Sequence, residues 1–248
     1  MGEVIAVLSG KGGTGKTSVC AGVSTALAQS GEQVLCIDCD VGLRNLDIAL
    51  GLSEVGTLSF QEVSSGEYGL DMVTRHPVFP NLSFLTAPMN CPVDEIDQKA
   101  FGAMLEKARR QFQYIFLDAP AGIDAGFELA AKFADRCLIV TGADPAAMRD
   151  AARAAQRLEL MGKTDVKLIV NRVSRKLFAT MSVTVDDVMD TAGLPLIGVV
   201  PEDQNVTLAA AFGTPLIAHT NRGAAKACEA IAKRLEGRRI PLSIFDIF

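Results

Sequence analysis

The 248-residue sequence lacks a long run of apolar residues, although 49% of its residues are hydrophobic. No apolar stretch approaches the roughly 20 residues that a membrane-spanning helix needs. No basic segment followed by an apolar one opens the chain, so a secretory signal is not indicated. We therefore expect a cytoplasmic protein that buries a sizeable core.

An excess of basic charge is also missing, since 24 Lys and Arg residues stand against 29 Asp and Glu residues for a net charge of −5. An acidic chain has no general electrostatic attraction for nucleic acid, so we expect no nucleic-acid partner. The sequence has no internal repeat, low-complexity linker or block of like charge. A single domain is the economical expectation for this length.

Six cysteines are scattered along the chain, and only Cys36 and Cys39 have the C-x-x-C spacing of a redox or metal pair. These two lie at the end of a predicted strand, where residues three apart point to opposite sides. We therefore favour reduced thiols in the core over a paired site.

Apolar, strand-like runs alternate with helical patterns along almost the whole sequence. The predicted strands are 4–9, 33–38, 82–86, 114–118, 136–141, 166–170 and 196–200, and the predicted helices are 16–30, 97–110, 126–134, 146–161, 184–192 and 223–236. Continuously apolar strands joined by helices indicate a single α/β domain, with a mostly parallel sheet and helices on both faces. The less regular stretch 51–80 is expected to be a surface excursion.

A phosphate-binding loop follows the first predicted strand and opens the first predicted helix. Segment 9–17, SGKGGTGKT, satisfies the pattern G-x-x-x-x-G-K-(S/T) in the required strand–loop–helix context, which predicts a P-loop NTPase. Glycines let backbone N–H groups approach phosphate oxygens, and the helix N-terminus favours negative charge. A glycine-rich turn that only resembles a P-loop is the alternative. The residues expected to hold ATP phosphates are Gly12, Gly13, Thr14, Gly15, Lys16, Thr17 and Ser18.

Acidic residues close two of the predicted strands, where a magnesium nucleotide site needs them. Segment 114–118, YIFLD, is an apolar strand that ends in Asp118, which has the form of a Walker B aspartate. Asp38 and Asp40 close the second strand, two residues apart. Magnesium keeps several waters, so the Thr17 hydroxyl with Asp118 and Asp38 nearby would suffice to hold it.

Segment 11–17, KGGTGKT, resembles the deviant Walker A motif of the MinD/ParA superfamily of ATPases. The resemblance implies that Lys11 crosses a dimer interface and stabilises charge on the partner's γ-phosphate, while Lys16 serves the nucleotide of its own chain. It also implies that Asp38 lies near the magnesium and that Asp40 positions the attacking water. The alternatives are a solvated loop lysine at Lys11 and a turn-capping role for Asp40.

Neighbouring segments resemble the MinD branch of that superfamily, which determines the septum site. Segment 40–47, DVGLRNLD, resembles its switch I, and segment 118–123, DAPAGI, resembles its switch II with Ala119 where serine is usual. Segment 148–153, MRDAAR, is similar to a helix start that meets regulatory partners, which makes Asp150 a candidate partner contact. The arginines there recur every four residues, as on a solvated helical face. The positions matching the family's adenine contacts are Asn171, Arg172, Pro201, Glu202 and Asp203.

The resemblance implies a working cycle and a peripheral location on the inner face of the cell membrane. ATP and Mg²⁺ would close a homodimer that holds the membrane and recruits a MinC-like division inhibitor, and a MinE-like regulator would trigger hydrolysis. We expect residues 1–237 to form the ATPase domain and residues 238–248 to form a tail. The tail is apolar and has no Lys or Arg after Pro241. It could be a weak membrane anchor, or it could pack on the protein or on a partner.

Other functions remain open at this point. A ParA-like positioning ATPase would show ATP-dependent retention on DNA, and a flagellar-number ATPase is a further relative. A nucleotide-dependent scaffold would bind ATP and dimerise without turnover. An iron–sulfur reductase relative would need cysteines that bridge a dimer.

Overall fold

The computed structural model describes residues 1–89 and 91–242. Its strands are β1 (Glu3–Leu8), β2 (Val34–Asp38), β3 (Thr74–Arg75), β4 (Leu82–Leu85), β5 (Tyr114–Asp118), β6 (Arg136–Thr141), β7 (Val166–Val173) and β8 (Leu196–Pro201). Its helices are α1 (Lys16–Gln29), α2 (Leu46–Ala49), α3 (Phe60–Ser64), α4 (Gln98–Ala108), α5 (Ala125–Phe133), α6 (Pro145–Leu160), α7 (Arg175–Met181), α8 (Val185–Ala192), α9 (Gln204–Ala211), α10 (Leu216–His219) and α11 (Ala224–Leu235). Short 3₁₀ turns cover Leu70–Met72 and Val93–Glu95.

The strands form one sheet in the order β3-β4-β2-β5-β1-β6-β7-β8. Every pairing is parallel except that of β3 with β4. Parallel pairing brings the carboxyl ends of β1, β2 and β5 to one edge, with Asp38 directly opposite Asp118. This confirms the predicted single α/β domain with a mostly parallel sheet, and it places the phosphate loop beside both aspartates.

Two buried layers cover the two faces of the sheet. Ile5 and Val7 of β1 pack in the layer formed with α1 and α11, whereas Ala6 and Leu8 pack in the layer formed with α4, α5 and α6. The same alternation separates Cys36 from Cys39, which lie in opposite layers. All six cysteines are buried and free, in agreement with the interpretation as core thiols.

The stretch 51–80 is not a surface excursion, contrary to the sequence-based expectation. Phe60 of α3 is fully buried and packs edge-on against Phe101 of α4 at 5.1 Å between ring centroids. β3 adds an antiparallel edge strand, and Phe79 is also buried. A five-residue helix, a three-residue turn and a two-residue strand are too short to show a hydrophobic period, so the sequence pattern did not indicate them.

The chain beyond α11 returns to the sheet. The Arg234 guanidinium donates hydrogen bonds to the carbonyl of Ile240 at 3.1 Å, of Pro241 at 2.8 Å and of Ile197 in β8 at 2.9 Å. Residues 243–248, which carry most of the predicted anchor, lie outside the described residues. Among the helices that the structure describes, none is both long and apolar enough to span a bilayer.

Candidate functional site

The phosphate loop joins β1 to α1 and has the backbone that a phosphate cradle requires. Gly13 and Gly15 have φ values of +79° and +81°, which L side chains rarely adopt. A Cβ at Gly15 would lie 2.3 Å from Asn171 Nδ2, whereas a Cβ at Gly13 would enter open space. α1 carries no acidic residue in its own first turn to offset its positive end. The loop therefore fits an anion such as a phosphate group.

Lys16 and Asp118 form a buried ion pair behind this loop. Lys16 Nζ lies 2.6 Å from Asp118 Oδ1, and both side chains are almost fully buried. Burial lowers the pKa of Lys16, but the Asp118 carboxylate outweighs it, and the net pKa of the lysine is raised. Lys16 also donates to the Thr17 hydroxyl at 3.4 Å. The lysine is therefore charged and is held at the base of the phosphate loop.

Asp38 adds a second buried carboxylate to the pair. Its Oδ1 accepts from Asp40 N at 2.8 Å, and its Oδ2 accepts from Leu46 N at 3.1 Å. Burial, and then the neighbouring Asp118 carboxylate, raise the pKa of Asp38 to about 7. Burial also raises the pKa of Asp118, so ionising both carboxylates beside one ammonium group is costly. A hard divalent cation bound by oxygen ligands would offset that cost. Across residues 1–89 and 91–242, no three His, Cys, Asp or Glu side chains cluster closely enough to hold a metal alone.

Asp40 follows β2 and caps the turn that comes next. Its Oδ1 accepts from Gly42 N at 3.2 Å and from Leu43 N at 3.1 Å. These contacts are those expected if Asp40 caps the turn, which was the alternative to its role in positioning water. Oδ1 of Asp40 is thus engaged with its own backbone, while the residue stays half-buried on the same edge as Asp38.

Lys11 is exposed on the loop and makes an ion pair within its own chain. Its Nζ lies 3.4 Å from Asp144 Oδ1, with the two side chains 44% and 50% exposed. Lys11 is therefore separate from the buried pair of Lys16 and Asp118.

A cavity of about 250 Å³ opens beside the loop and contains the positions predicted to contact adenine. It is lined by Gly13, Gly15, Ser18, Val19, Asn171, Arg172, Val200, Pro201, Glu202, Asp203, Val206, Thr207, Leu216, Ala224 and Cys228. The structure thus brings the phosphate loop together with two distant segments. A cleft that combines apolar side chains with convergent polar groups is typical of cofactor sites.

Asn171 and Arg172 lie inside β7 rather than after it, because the strand is three residues longer than predicted. The register with β8 shifts between Val170 and Val173, which is a bulge that re-aims side chains. Asn171 Nδ2 donates to Thr14 O at 2.7 Å, and Arg172, at φ +58°, donates to Gly13 O at 3.2 Å. Both side chains thus connect the cavity wall to the phosphate loop.

Glu202 and Asp203 continue the wall of the cavity after β8. Glu202 pairs with Arg172 at 2.7 Å between Oε2 and Nε. Asp203 Oδ1 accepts from Asn205 N at 2.9 Å, and its Oδ2 accepts from Ala224 N at 2.9 Å. Asp203 therefore holds the first turns of α9 and α11 together behind the cavity.

Asp150 lies on α6, outside the cavity. It is half-buried and pairs with Arg153 at 3.4 Å. Its backbone carbonyl packs against the phosphate loop, since a Cβ at Gly10 would lie 2.2 Å from Asp150 O. Sequence reasoning placed Asp150 at a partner surface but did not foresee this contact with the loop.

Some lining residues carried no sequence signal. Val206 and Thr207 on α9, Leu216 on α10, and Ala224 and Cys228 on α11 line the cavity. They belong to no motif. The packing of α10 and α11 beside α1, with α9 against α10, brings them to the site. Asp144 likewise stands outside every motif that the sequence offered.

The fold and the site define a P-loop nucleotide-binding protein. The chain matches the CobQ/CobB/MinD/ParA nucleotide binding domain family over residues 5–216. It is 37% identical over 248 residues to the septum site-determining protein MinD of Synechocystis, covering 99% of this chain and 93% of the relative. It is 36% identical over 246 residues to MinD of Thermotoga maritima, covering 98% and 91%. The chain belongs to the MinD proteins of this family.

Solved structures agree with this assignment. A chain of the MinC:MinD cell division protein complex of Aquifex aeolicus superposes with a TM-score of 0.89 at 34% identity, covering 97% of this chain and 98% of that chain. MinD of Pyrococcus horikoshii complexed with Mg-ADP superposes with a TM-score of 0.83 at 26% identity, covering 95% and 96%.

Proposed function

We propose that this protein is an ATP-hydrolysing switch that dimerises with ATP and positions the division septum. The observation that carries the proposal is the buried group of Lys16, Asp118 and Asp38 behind a glycine cradle. A lysine held at a phosphate loop, with two carboxylates beside it, is the arrangement expected for a magnesium nucleotide. The Mg-ADP bound by the P. horikoshii relative supports the same ligand class.

The residues divide between the parts of the nucleotide. The backbone N–H groups of residues 12–18 would receive the phosphates, and Lys16 would neutralise their charge. The Thr17 hydroxyl, Asp38 and Asp118 would hold Mg²⁺, whose role is to neutralise charge that develops on the phosphate oxygens. The lining residues Asn171, Arg172 and Pro201–Asp203 would contact adenine. The unpartnered, buried Thr14 hydroxyl and the empty space at Gly13 fit a ligand at the loop.

Hydrolysis would require two further residues. Asp40 would position the attacking water, which requires its Oδ1 to leave the turn or its other oxygen to act. Lys11 would cross to the partner's nucleotide and stabilise charge on the γ-phosphate. Residues 1–237 would form this ATPase domain, and residues 238–248 would form a contact with a membrane or a partner.

A division inhibitor of the MinC type is the partner that the A. aeolicus MinC:MinD structure supports. A MinE-like regulator would stimulate hydrolysis, and Asp150 on α6 would contribute to a partner surface. The location would be the inner face of the cell membrane, reached only in the ATP state.

Co-sedimentation with anionic liposomes, measured beside phosphate release, tests the proposal. We expect the wild type to sediment with ATP–Mg²⁺ and not with ADP–Mg²⁺, and to hydrolyse ATP slowly. Lys16→Ala should lose both properties, because its removal takes away the charge at the loop. Lys99→Ala, in α4 and far from the loop, is the matched control and should behave as wild type. Sedimentation that is the same with either nucleotide would contradict the proposal.

A further inference from the structure

A second cavity, of about 400 Å³, lies between α3 and α4, and its lining residues are outside the phosphate loop. One wall is formed by positions 100, 103, 104, 107 and 111, which share a single face of α4 and its C-terminal end. The opposite wall comes from segment 63–70, which leads from α3 into the first 3₁₀ turn. We call this cavity the α3–α4 groove.

The α3–α4 groove has an apolar floor and a basic rim. Val63 and Met104 are buried, and the half-buried Leu70 lines the groove with them. Lys107 and Arg110 are exposed at its edge, and neither forms an ion pair with the residues that the structure describes. Acidic side chains are absent from the described residues that line the groove. Its chemistry therefore suits an apolar segment that carries negative charge.

The chain itself contains a segment of this kind. Residues 243–248 read SIFDIF, in which four large apolar side chains accompany the single carboxylate of Asp246. Burying such side chains removes apolar surface from water, which is the main driving force for association. Segment 243–248 therefore matches the α3–α4 groove both in apolar character and in the sign of its charge.

Segment 243–248 is too short to reach the groove of its own chain. The residues just before it are fixed beside β8, because Arg234 donates to the carbonyls of Pro241 and Ile197. The groove lies at the other edge of the sheet, since α3 starts at the residue after a bridge between Ser59 and Thr86, which follows β4.

The distance across the sheet decides the point. β8 and β4 are six strand spacings apart, which is about 29 Å. In addition, α11 and α4 cover opposite faces of the sheet. Six fully extended residues span at most about 22 Å, so only the groove of another chain is within reach.

We propose that the α3–α4 groove of one chain binds segment 243–248 of a second copy of the chain. The apolar side chains of the segment cover the floor of the groove, and Asp246 meets the cations at its rim. The inference builds on the proposed role of residues 238–248 as a contact segment, and it requires neither hydrolysis nor a dimer through Lys11. Because the donated segment and the accepting groove are different surfaces, the contact joins chains head to tail.

The contact is weak, because ordering a short segment offsets much of the gain from a small interface. We expect a dissociation constant on the order of 100 µM. Loss of one large apolar side chain should weaken it at least about tenfold. Reversing a charge at the exposed rim turns an attraction into a repulsion, each worth about two- to fivefold, which together weaken binding about 4- to 25-fold. At low micromolar protein the chains stay apart, so the ATP dimer can be measured separately.

Sedimentation equilibrium of the full chain with ADP–Mg²⁺, at protein concentrations up to about 500 µM, measures this contact without the ATP dimer. Phe245→Ser alters the donated segment, and Lys107→Glu alters the groove. Lys99→Glu reverses a charge on the same helix but outside the lining of the groove, so it is the matched control. A fluorescent label on one chain of a mixture reports complexes between different variants.

We expect wild type and Lys99→Glu to associate equally, and each of the other two variants to associate at least fourfold more weakly. A mixture of Phe245→Ser with Lys107→Glu should form a 1:1 complex of wild-type affinity, because one chain supplies an intact groove and the other an intact segment.

Either of two results would overturn the inference. One is a mixture that associates no better than its separate components while wild type self-associates. The other is a wild type that stays monomeric at every concentration, even if Phe245→Ser loses binding to anionic liposomes, since the segment would then serve a membrane. Neither result bears on the ATP dimer, whose absence with ATP–Mg²⁺ would instead contradict the proposed function.

Discussion

At the residue scale, the site depends on backbone conformations that only glycine adopts easily. Gly13 and Gly15 both have a left-handed backbone conformation. A Cβ at Gly15 would meet Asn171, whereas a Cβ at Gly13 would meet nothing. The motif predicted both glycines, because phosphate loops need close backbone approach. The contact of Gly15 with Asn171, 156 positions further along the chain, could not be predicted, since it depends on the packing of β7 beside the loop.

Gly13→Ala should weaken ATP binding much more than it lowers the free energy of unfolding. The left-handed φ costs an L residue about 1–2 kcal/mol, and the added methyl group would occupy the open space beside the loop. We expect a loss of stability of about 1 kcal/mol in urea unfolding but at least a tenfold loss of ATP affinity in calorimetry.

Gly162→Ala is the control for that change. Gly162 has φ +75° and also faces open space, but it follows α6 at a distance from the loop. It should show the same loss of stability with unchanged ATP affinity. Equal losses of affinity in the two variants would show that Gly13 has no special relation to the ligand.

At the element scale, the sequence predicted the seven parallel strands to within three residues at every end. Continuously apolar segments such as 114–118 and 136–141 mark buried strands clearly. The elements that were missed are short or mixed, namely α2, α3, α7, α9, α10 and β3. The error at 51–80 has the same origin, because a single turn of helix can bury Phe60 without any periodic pattern. The extension of β7 through Asn171 reflects a bulge, which sequence alone does not indicate.

Asp203→Ala should loosen two helices at once. The side chain accepts from the first turns of α9 and α11, and loss of a cap costs about 1 kcal/mol for each helix. We expect the free energy of unfolding to fall by about 2 kcal/mol. ADP affinity should weaken about tenfold, because the cavity wall is held by these two helices.

Asp97→Ala removes the cap of α4, away from the cavity, and should lower stability without changing ADP affinity. If Asp203→Ala lost stability and kept full ADP affinity, the wall of the cavity would not depend on this cap.

His76 should make stability depend on pH. Its Nδ1 accepts from Val78 N and Phe79 N, each at 3.1 Å, and its Nε2 lies 2.8 Å from Leu50 O, which fits the neutral ring. Burial lowers the pKa of His76, and the hydrogen bond to Leu50 offsets this only in part. The unfolded chain therefore binds the His76 proton first as the pH falls below about 6.5, and the contribution of His76 to the free energy of unfolding declines, by at most about 1.4 kcal/mol per pH unit.

Urea unfolding between pH 5 and pH 8 measures this slope. His76→Asn should unfold with a smaller decline below pH 6.5 than wild type, whatever its absolute stability. His219→Asn changes the other histidine, which is half-buried on α10, and should keep the wild-type slope. An unchanged slope in His76→Asn would contradict the neutral, buried assignment.

At the scale of the whole molecule, the strand order brings the site together. β1 lies between β5 and β6, and β2 lies beyond β5, so the phosphate loop, Asp38 and Asp118 meet at one edge. Their meeting could be predicted from the sequence, because motifs at the ends of parallel strands share an edge. The cavity could not be predicted in full, because it takes residues from α9, α10 and α11. The pair of Lys11 and Asp144 also required the structure.

Sedimentation velocity in the presence of ATP–Mg²⁺ or ADP–Mg²⁺ tests the central claim, that ATP closes a dimer of this chain through Lys11 and the phosphate loop. We expect a dimer with ATP, a monomer with ADP, and a monomer in both states for Lys11→Ala, which should still bind ATP in calorimetry. Lys163→Ala, beyond the C-terminal end of α6, should dimerise as wild type does. A dimer of Lys11→Ala as tight as that of wild type, or an oligomeric state that ignores the nucleotide, would contradict the account.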